Sequence, residues 1–578
     1  MTKYVVVVGG VVSGVGKGVT TAALGKILKA HGYTTTLIKI DPYINYDAGT
    51  LRPTEHGEVW VTNDGGEIDQ DLGTYERFMD EDFPRKNSIT TGQIYKAVID
   101  RERRGEYLGQ TVQFIPHILD EIIARITAVA ADHDIVIIEI GGTVGDYENK
   151  PFLFAMRALE RELGHKQVAY VLVAYLPVPS HIGEMKTKPV QQSIKLLNEE
   201  GISPDFIICR SQHTIDAVRR AKIGAYSYVN ADHIIAAPDV ATIYQIPLDL
   251  ERERVGTKLL ACLGLQSRIT PDWSSWQQMV TRLQTPALSV SIAIIGKYLQ
   301  TGDFNLVDSY LSIDQALLHA GVLLDAGIKI TWIDAHIFEQ DPTKLAMLAQ
   351  FDGILVPGGF GASGIEGKIS AIQYARVKKI PYLGICYGMQ LAVIEHARHV
   401  VGLTNAHTTE VMPDTDTPVI TMLPLQQQLL DCNAYGGTMR LGSYKAQIEP
   451  GTRVHIHYQQ AGRIATDGTI MERHRHRYEV NPIYLTLLKD HGLVVSGIHK
   501  RADGTELAEF IELHDHPFFV ATQAHPEFTS RLGNPNPLFQ GFVAASLQRL
   551  HTRTQMHATN DMTSYISADC VQTRQATQ

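Results

Sequence analysis

The chain has 578 residues, 44% of them hydrophobic and 20% charged, and its 52 basic and 62 acidic side chains leave a formal net charge of -10. That length predicts two to four domains with the composition of soluble globular proteins. The acidic balance argues against a nucleic-acid binder, which concentrates basic residues on one face. Five cysteines (Cys209, Cys262, Cys386, Cys432, Cys570) are scattered without a CxxC pair, which excludes a disulfide framework or zinc site and points to a reducing cytoplasm. No apolar run approaches the ~20 residues that span a bilayer, so no membrane partner is expected.

The opening "MTKYVVVVGGVVSGVGKG" runs straight into a glycine-rich loop and reads as a first strand rather than a signal peptide. Strands follow at "YVVVVGG" (4–10), "TTTLIKID" (34–41), "DIVIIEIGG" (134–142), "VAYVLVAYLP" (168–177) and "DFIICRS" (205–211). Each is β-branched and nearly continuous, as in parallel strands covered on both faces. Helix-like stretches such as "TTAALGKILKAHG" (20–32) lie between them. The segment 264–289 is polar, carries two prolines and shows no strand pattern, which places a domain junction there. A second α/β block restarts with "SVSIAIIGKY" (289–298), "IKITWIDA" (328–335), "FDGILVPGG" (351–359) and "IPYLGIC" (380–386), and closes with "FFVATQAHPEF" (518–528). The last 28 residues lack apolar periodicity and read as a disordered tail. The expected domains are 1–266 and 288–550, joined by a linker at 267–287 and followed by the tail 551–578.

"GGVVSGVGKGVTT" (9–21) follows a strand and opens a helix. Amides of a glycine-rich turn and a helix N-terminus cradle anions, and Lys17 reaches the outer phosphates. The loop departs from a Walker A pattern, because Gly18 replaces the usual Ser/Thr that binds metal. Magnesium ligands are therefore sought elsewhere, in "EIDQDLG" (67–73) and "EIGGTVGD" (139–146), whose carboxylates are hard oxygen donors. The short lysine cluster "GEMKTKPVQQS" (183–193) suits a triphosphate or a solvated face.

At the other end, "LGICYGMQ" places Cys386 between Gly384 and Gly388 at a strand-to-helix turn, a cysteine form of the nucleophile elbow. The helix N-terminus behind it offers amides for an oxyanion, and a thiolate there needs a histidine base held by an acid. "QAHPEF" supplies His525 and Glu527, two residues apart and hence expected on one face of a strand. "LVPGGFG" (355–361) adds backbone amides. "ERHRHRYEVN" (472–481) alternates histidine with arginine and suits anion or carboxylate contacts better than metal coordination.

"LGICYGMQ" with "HPEF" resembles the class I (triad) glutamine amidotransferases. "GGVVSGVGKG", "KIDPYIN", "HGEV", "DLGTYERF", "RERRGEYLG", "IEIGGTVGD", "GEMKTKP" and "ERHRHRYEVN" together resemble the CTP synthase family, in unbroken order over residues 3 to 548. The resemblance implies an α/β protein of two doubly wound domains, an N-terminal P-loop-type synthetase and a C-terminal triad amidotransferase. It implies a glutamyl thioester on Cys386, with His525 moving the proton and Glu527 orienting it, and glutamine held by Gly359, Tyr387, Gly388, Met389, Gln390, Glu410 and Arg477. It implies ATP at Gly14, Val15, Gly16, Lys17, Gly18, Val19, Lys39, Asp71, Pro238, Asp239 and Val240, with Mg²⁺ on Asp71 and Glu139. UTP or CTP is implied at Ser13, Asp146, Tyr147, Glu148, Lys186, Thr187, Lys188, Pro189, Val190, Gln191 and Lys222. It further implies CTP as feedback inhibitor, GTP as activator, a homotetramer and a cytoplasmic location. Ser363 in "GGFGASGIEGK" stands where the family has arginine, in a loop associated with GTP. Two other readings stay open: a carboxylate amidoligase of the cobyrinate type, and a non-catalytic nucleotide-switch or filament protein.

Overall fold

The computed structural model describes residues 1–52, 56–296, 300–301, 304–305, 310–359, 361–422 and 439–572, with backbone alone at 300–301, 304–305 and 556–572. Phe360, Cys432 and residues 297–298 of an expected strand lie outside the described residues. The chain divides into two compact units, Met1–Gln284 and Thr285–Gln578.

The first unit is built on seven parallel strands: β1 (Lys3–Gly9), β2 (Thr35–Asp41), β3 (Ser88–Thr90), β4 (Ile135–Ile140), β5 (Val168–Tyr175), β6 (Phe206–Ser211) and β7 (Ile234–Pro238). Their order is β3-β2-β4-β1-β5-β6-β7. The strands expected from continuous β-branched runs are all present, and their residues are buried because helices cover both faces. Three helices position the chemistry: α1 (Lys17–Ala30) after β1, α2 (Asp71–Met79), and α3 (Lys188–Glu199) after β5. The ends of β1, β2 and β4 meet at the middle of the sheet, where the strand order reverses, and this is the usual ligand crevice of doubly wound folds.

The polar segment read as a linker instead contains a helix, α4 (Ser274–Gln284), belonging to the first unit. Trp276 is buried against Phe78 and Tyr244, with ring centroids 5.9 Å from each, and its indole N–H donates to the Tyr244 carbonyl at 2.8 Å. One tryptophan and Val280 suffice to anchor the helix, too few apolar positions to betray it in a polar sequence.

The second unit holds a nine-stranded sheet: β8 (Leu288–Gly296), β9 (Ala326–Asp334), β10 (Gly353–Val356), β11 (Tyr382–Ile385), β12 (Arg440–Ile448), β13 (Thr469–His476), β14 (Val494–Lys500), β15 (Glu506–Glu512) and β16 (Phe519–Thr522). Their order is β9-β8-β10-β11-β16-β15-β14-β12-β13. The first five are parallel. The remaining four extend the sheet antiparallel. Helix α5 (Tyr387–His396) follows β11 directly. The last helix, α6 (Pro537–Gln572), runs through most of the segment expected to be an irregular tail. Its first turns bury Leu538, Phe539, Phe542 and Val543, which nucleate a helix that the polar residues beyond can prolong.

Candidate active site

In the first unit the loop after β1 turns through Gly14 and Gly16, both at positive φ (68° and 81°), and delivers Lys17, Gly18 and Val19 into the first turn of α1. Ser13 and Gly14 are exposed, whereas Val15 is buried. The Lys17 ammonium donates to the Gly142 carbonyl at 2.9 Å. Burial holds its pKa below the ordinary lysine value, against the pull of Glu139. Gly18 is where the usual hydroxyl is missing, and the structure supplies the reason. A Cβ on Gly18 would lie 2.1 Å from Asp71 Oδ1, so a carboxylate from α2 fills the place of that side chain.

Lys39, buried at the end of β2, is ringed by acids. It donates to Asp71 in a short bond, and Glu139, Asp41 and Asp69 lie at 3.3, 3.6 and 4.0 Å. Burial opposes its charge, but these four acids outweigh burial and hold Lys39 well above the usual lysine range. Burial in turn raises Asp41, Asp69 and Glu139 above the usual carboxylate range. Tyr75 donates to Glu139, and Asp41 Oδ2 is buried with no hydrogen-bond partner among the described residues. No three ligating side chains form a ready metal cage among the described residues, because the Lys39 ammonium stands between the acids. The hard oxygen donors and the orphaned Asp41 oxygen nonetheless fit a small divalent cation.

Beside this cluster lies a cavity of 360 Å³ lined by Asp41, Pro42, Tyr43, His56, Asp69, Gly142, Asp146 and Glu148. Asp146 is fixed there by the backbone N–H and hydroxyl of Thr143, at 2.7 and 2.8 Å. Asp41, Tyr43, His56 and Asp69 lie within the quoted strings but were not singled out by the sequence. Tyr147, which is exposed, is not among the lining residues, and neither are Lys186, Thr187, Lys188, Pro189, Val190, Gln191 and Lys222. Lys186 pairs with Glu184 at 2.7 Å, Val190 and Gln191 are buried in α3, and Lys222 is exposed on the helix Ala217–Ser227. Pro238 ends β7 and leads to Asp239 and Val240. Arg210, also missed in the sequence, donates to the Pro238 carbonyl (3.1 Å) and to Asp239 (3.1 Å), and its Nε would lie 3.7 Å from a Cβ at Gly16. Arg210 thus joins the two stretches expected to hold one nucleotide.

In the second unit Cys386 sits between β11 and α5 with φ 51° and ψ −102°, a strained conformation for a residue with a side chain. Its amide donates to the Thr522 carbonyl at 2.7 Å, tying the elbow to the end of β16. Gly388 allows α5 to press on β10, since a Cβ there would lie 2.1 Å from the Val356 carbonyl. His525 follows β16, and its Nδ1 lies 2.7 Å from Glu527 Oε1. The two do not share a strand face as expected: β16 ends at Thr522, and the 3₁₀ turn Pro526–Thr529 folds Glu527 back onto the ring. A Cβ on Gly358 would lie 2.9 Å from His525 Cε1 and 3.6 Å from Cys386 Cβ, which sets ring, thiol and Gly358 backbone side by side. Burial opposes protonation of His525, yet Glu527 and Cys386 outweigh it and raise its pKa to about 10.

The loop 355–361 is tied to the same place. Gly361 donates to Glu410 at 2.6 Å and accepts from the Tyr387 hydroxyl at 3.1 Å. Gly388 and Met389 lie buried in the first turn of α5, and Gly359 follows Gly358 in the loop. Gln390 is buried and donates to the Tyr478 carbonyl at 2.9 Å and to Gln523 at 3.2 Å. Arg477 and Glu410 both act electrostatically on Tyr478, so they share its neighbourhood. Tyr478 and Gln523 are members of this group that sequence reasoning missed.

Residues 3–265 match the family described as "CTP synthase N-terminus", and residues 305–545 match "Glutamine amidotransferase class-I". A CTP synthase of Thermococcus gammatolerans is 50% identical over 549 residues, 95% of this chain and 99% of the relative. The chain belongs to the CTP synthase family. A second member, from Pyrococcus abyssi, is 50% identical over 557 residues, 96% of this chain and all of the relative. The solved glutaminase domain of Trypanosoma brucei CTPS with bound acivicin is 35% identical, covers 45% of this chain and 94% of its own, and has a TM-score of 0.40. The CTP synthase family's reaction is the glutamine-dependent amination of UTP to CTP with ATP as co-substrate, and the chain carries it. The cobyrinate-type and non-catalytic readings are thereby set aside.

Proposed function

We propose that the two residue groups divide the reaction between them. In the second unit Cys386 attacks the carboxamide of glutamine. His525, held by Glu527, passes a proton to the departing ammonia, and water then releases the glutamyl thioester. Gly359, Tyr387, Gly388, Met389, Gln390, Glu410 and Arg477 hold the glutamine. The observation that carries this reading is the 2.7 Å pairing of His525 with Glu527 beside a cysteine at a strained elbow.

In the first unit the loop Ser13–Val19, Lys17 and Lys39 bind nucleotide phosphates, with Pro238, Asp239 and Val240 beside the base of ATP. Phosphorylation of the UTP 4-oxygen creates a leaving group that ammonia displaces. Asp71 and Glu139 would hold Mg²⁺, which when bound neutralises the phosphate charge. Asp146 and Glu148 belong to the pyrimidine-nucleotide pocket with the segment 186–191 and Lys222, and the same pocket serves CTP as feedback inhibitor. Ammonia is mostly protonated in neutral water, so an internal passage suits the chemistry. Kinship also supports GTP activation, tetramer formation and a cytoplasmic location. No helix among the described residues is long and apolar enough to cross a membrane.

CTP formation from UTP, ATP, Mg²⁺ and either glutamine or ammonia tests the division of labour. Cys386→Ala is expected to abolish the glutamine reaction and keep the ammonia reaction; loss of both contradicts it. Lys17→Ala is expected to stop both.

A further inference from the structure

Strand β13 and the residues after it hold "ERHRHRYEVN", and of these only Arg477 has a task in the scheme above. His474 and His476 are buried there, together with Glu479, Arg440 of β12 and Glu509 of β15. Arg440 donates to Glu479 at 3.0 Å and to Glu509 at 2.8 Å.

One acceptor dictates the direction of every bond in this group. The Tyr478 carbonyl can only accept, and both Gln390 Nε2 (2.9 Å) and His476 Nδ1 (3.1 Å) point at it. Glu479 Oε1, another acceptor, lies 3.5 Å from the same His476 nitrogen. That nitrogen therefore carries a proton. Burial, reinforced by Arg440, holds both imidazoles well below the usual histidine range, so each ring is neutral. His476 Nε2 is then bare and accepts from His474 Nδ1 at 3.0 Å. His474 Nε2 is bare in turn and faces Glu509 Oε2 at 3.5 Å. Burial pushes Glu509 up to about 7.

The same acceptor orders the other direction. With its NH₂ committed to Tyr478, Gln390 sends its second proton to Gln523 Oε1 at 3.2 Å. The Gln523 NH₂ is thereby turned to Cys386, with Nε2 3.7 Å from Sγ. Gln523 is 0% exposed, so its amide orientation is decided by these partners and not by water.

We propose that Gln523 is a fixed N–H donor to the Cys386 sulfur, its polarity imposed by the Tyr478 carbonyl through Gln390. This rests on Cys386 as the nucleophile. A donor at that distance favours the anionic sulfur over the neutral thiol, whereas a flipped amide would set an oxygen against it. The other groups facing the sulfur are His525, backed by Glu527, and the first turn of α5. Gln523 touches the reacting atom; Gln390 acts through it as a positioning residue.

Alkylation of Cys386 by iodoacetamide in the full chain, followed from about pH 5 to 9, reads the sulfur directly, and the thermal unfolding midpoint checks folding. Gln523→Glu keeps the shape and removes the donor; Gln523→Leu removes both polar atoms. Each is expected to slow alkylation near neutral pH about tenfold and to lower glutaminase kcat similarly, with KM within about threefold. Alkylation of both variants within about twofold of the parent overturns the proposal, as does a loss confined to KM. ¹⁵N NMR of labelled glutamine side-chain amides tests the donor should the Gln523 variants not fold. The Gln523 NH₂ signal of the parent is expected to shift in Cys386→Ala, and an unchanged signal overturns the proposal. Glutaminase activity surviving in Cys386→Ala would instead sink the underlying reading, and the alkylation data would still judge the donor.

Discussion

Gly18→Ala changes one hydrogen into a methyl group, and the structure says where that methyl goes. It would stand 2.1 Å from Asp71 Oδ1 and 2.7 Å from Asp71 Cγ. Ordinary carbon contacts begin near ~3.5 Å, so the carboxylate must retreat by roughly 1 Å. That movement breaks the short bond from Lys39, a lysine only 6% exposed in its side chain. Breaking a buried ion pair costs about 3–5 kcal/mol, and because the Asp71 side chain is 29% exposed the lower end applies. Alanine returns about 1 kcal/mol through its helix preference, leaving a deficit of about 2 kcal/mol. If the displaced carboxylate also serves the phosphoryl step, that deficit is about thirtyfold in rate. Ammonia-dependent CTP formation should therefore fall at least thirtyfold, while glutamine hydrolysis by the second unit is retained. Synthesis within about threefold of the parent would refute the packing argument, and an equal loss of hydrolysis would show general unfolding instead.

Glu527→Gln removes the strongest support for the raised His525 pKa. A histidine held at about 10, above its ordinary 6.5, stabilises the fold fully below pH 6.5 and loses that contribution as pH climbs toward 10. Thermal midpoints measured against pH should therefore decline over that window in the parent and flatten in the variant, and glutaminase kcat should fall about 100-fold or more. Burial pushes Cys209 and Cys262 up to about 12, so limited iodoacetamide at neutral pH should mark Cys386 before either, as read by peptide mass spectrometry. Trp276→Ala should cost about 3–5 kcal/mol in the first unit, seen as a lower denaturation midpoint. A chain ending at residue 266 should be less stable than one ending at 284.

The parallel strands and both reactive turns were legible because their signals are local. β1, β2, β4, β5 and β6 are unbroken β-branched runs, and a glycine-flanked cysteine between a strand and a helix announces its own geometry. The antiparallel extension was not legible. Strands β12 and β13 break their alternation with Gly442 and with buried His474, His476 and Arg473, because a polar network fills part of that core. Gly18 signalled an absent hydroxyl in the sequence, but the acid that takes its place comes from a helix more than fifty residues away. Likewise Arg210 matters through the end of the neighbouring strand β7, and Gln523 through Gln390 of α5 and the Cys386 elbow, and no spacing along the chain predicts such a meeting. The sequence did pair His525 with Glu527, for a reason the turn at Pro526 supersedes.

The twisted backbone at Cys386 has an evolutionary consequence. A residue bearing a Cβ costs of order 1–3 kcal/mol in such a conformation, and glycine would rest there without penalty. Selection for robustness alone would therefore drift this position to glycine. A lineage that lost its need for glutamine as a nitrogen donor should carry the scar as a missing side chain at 386, with the surrounding turn unchanged and its melting point higher.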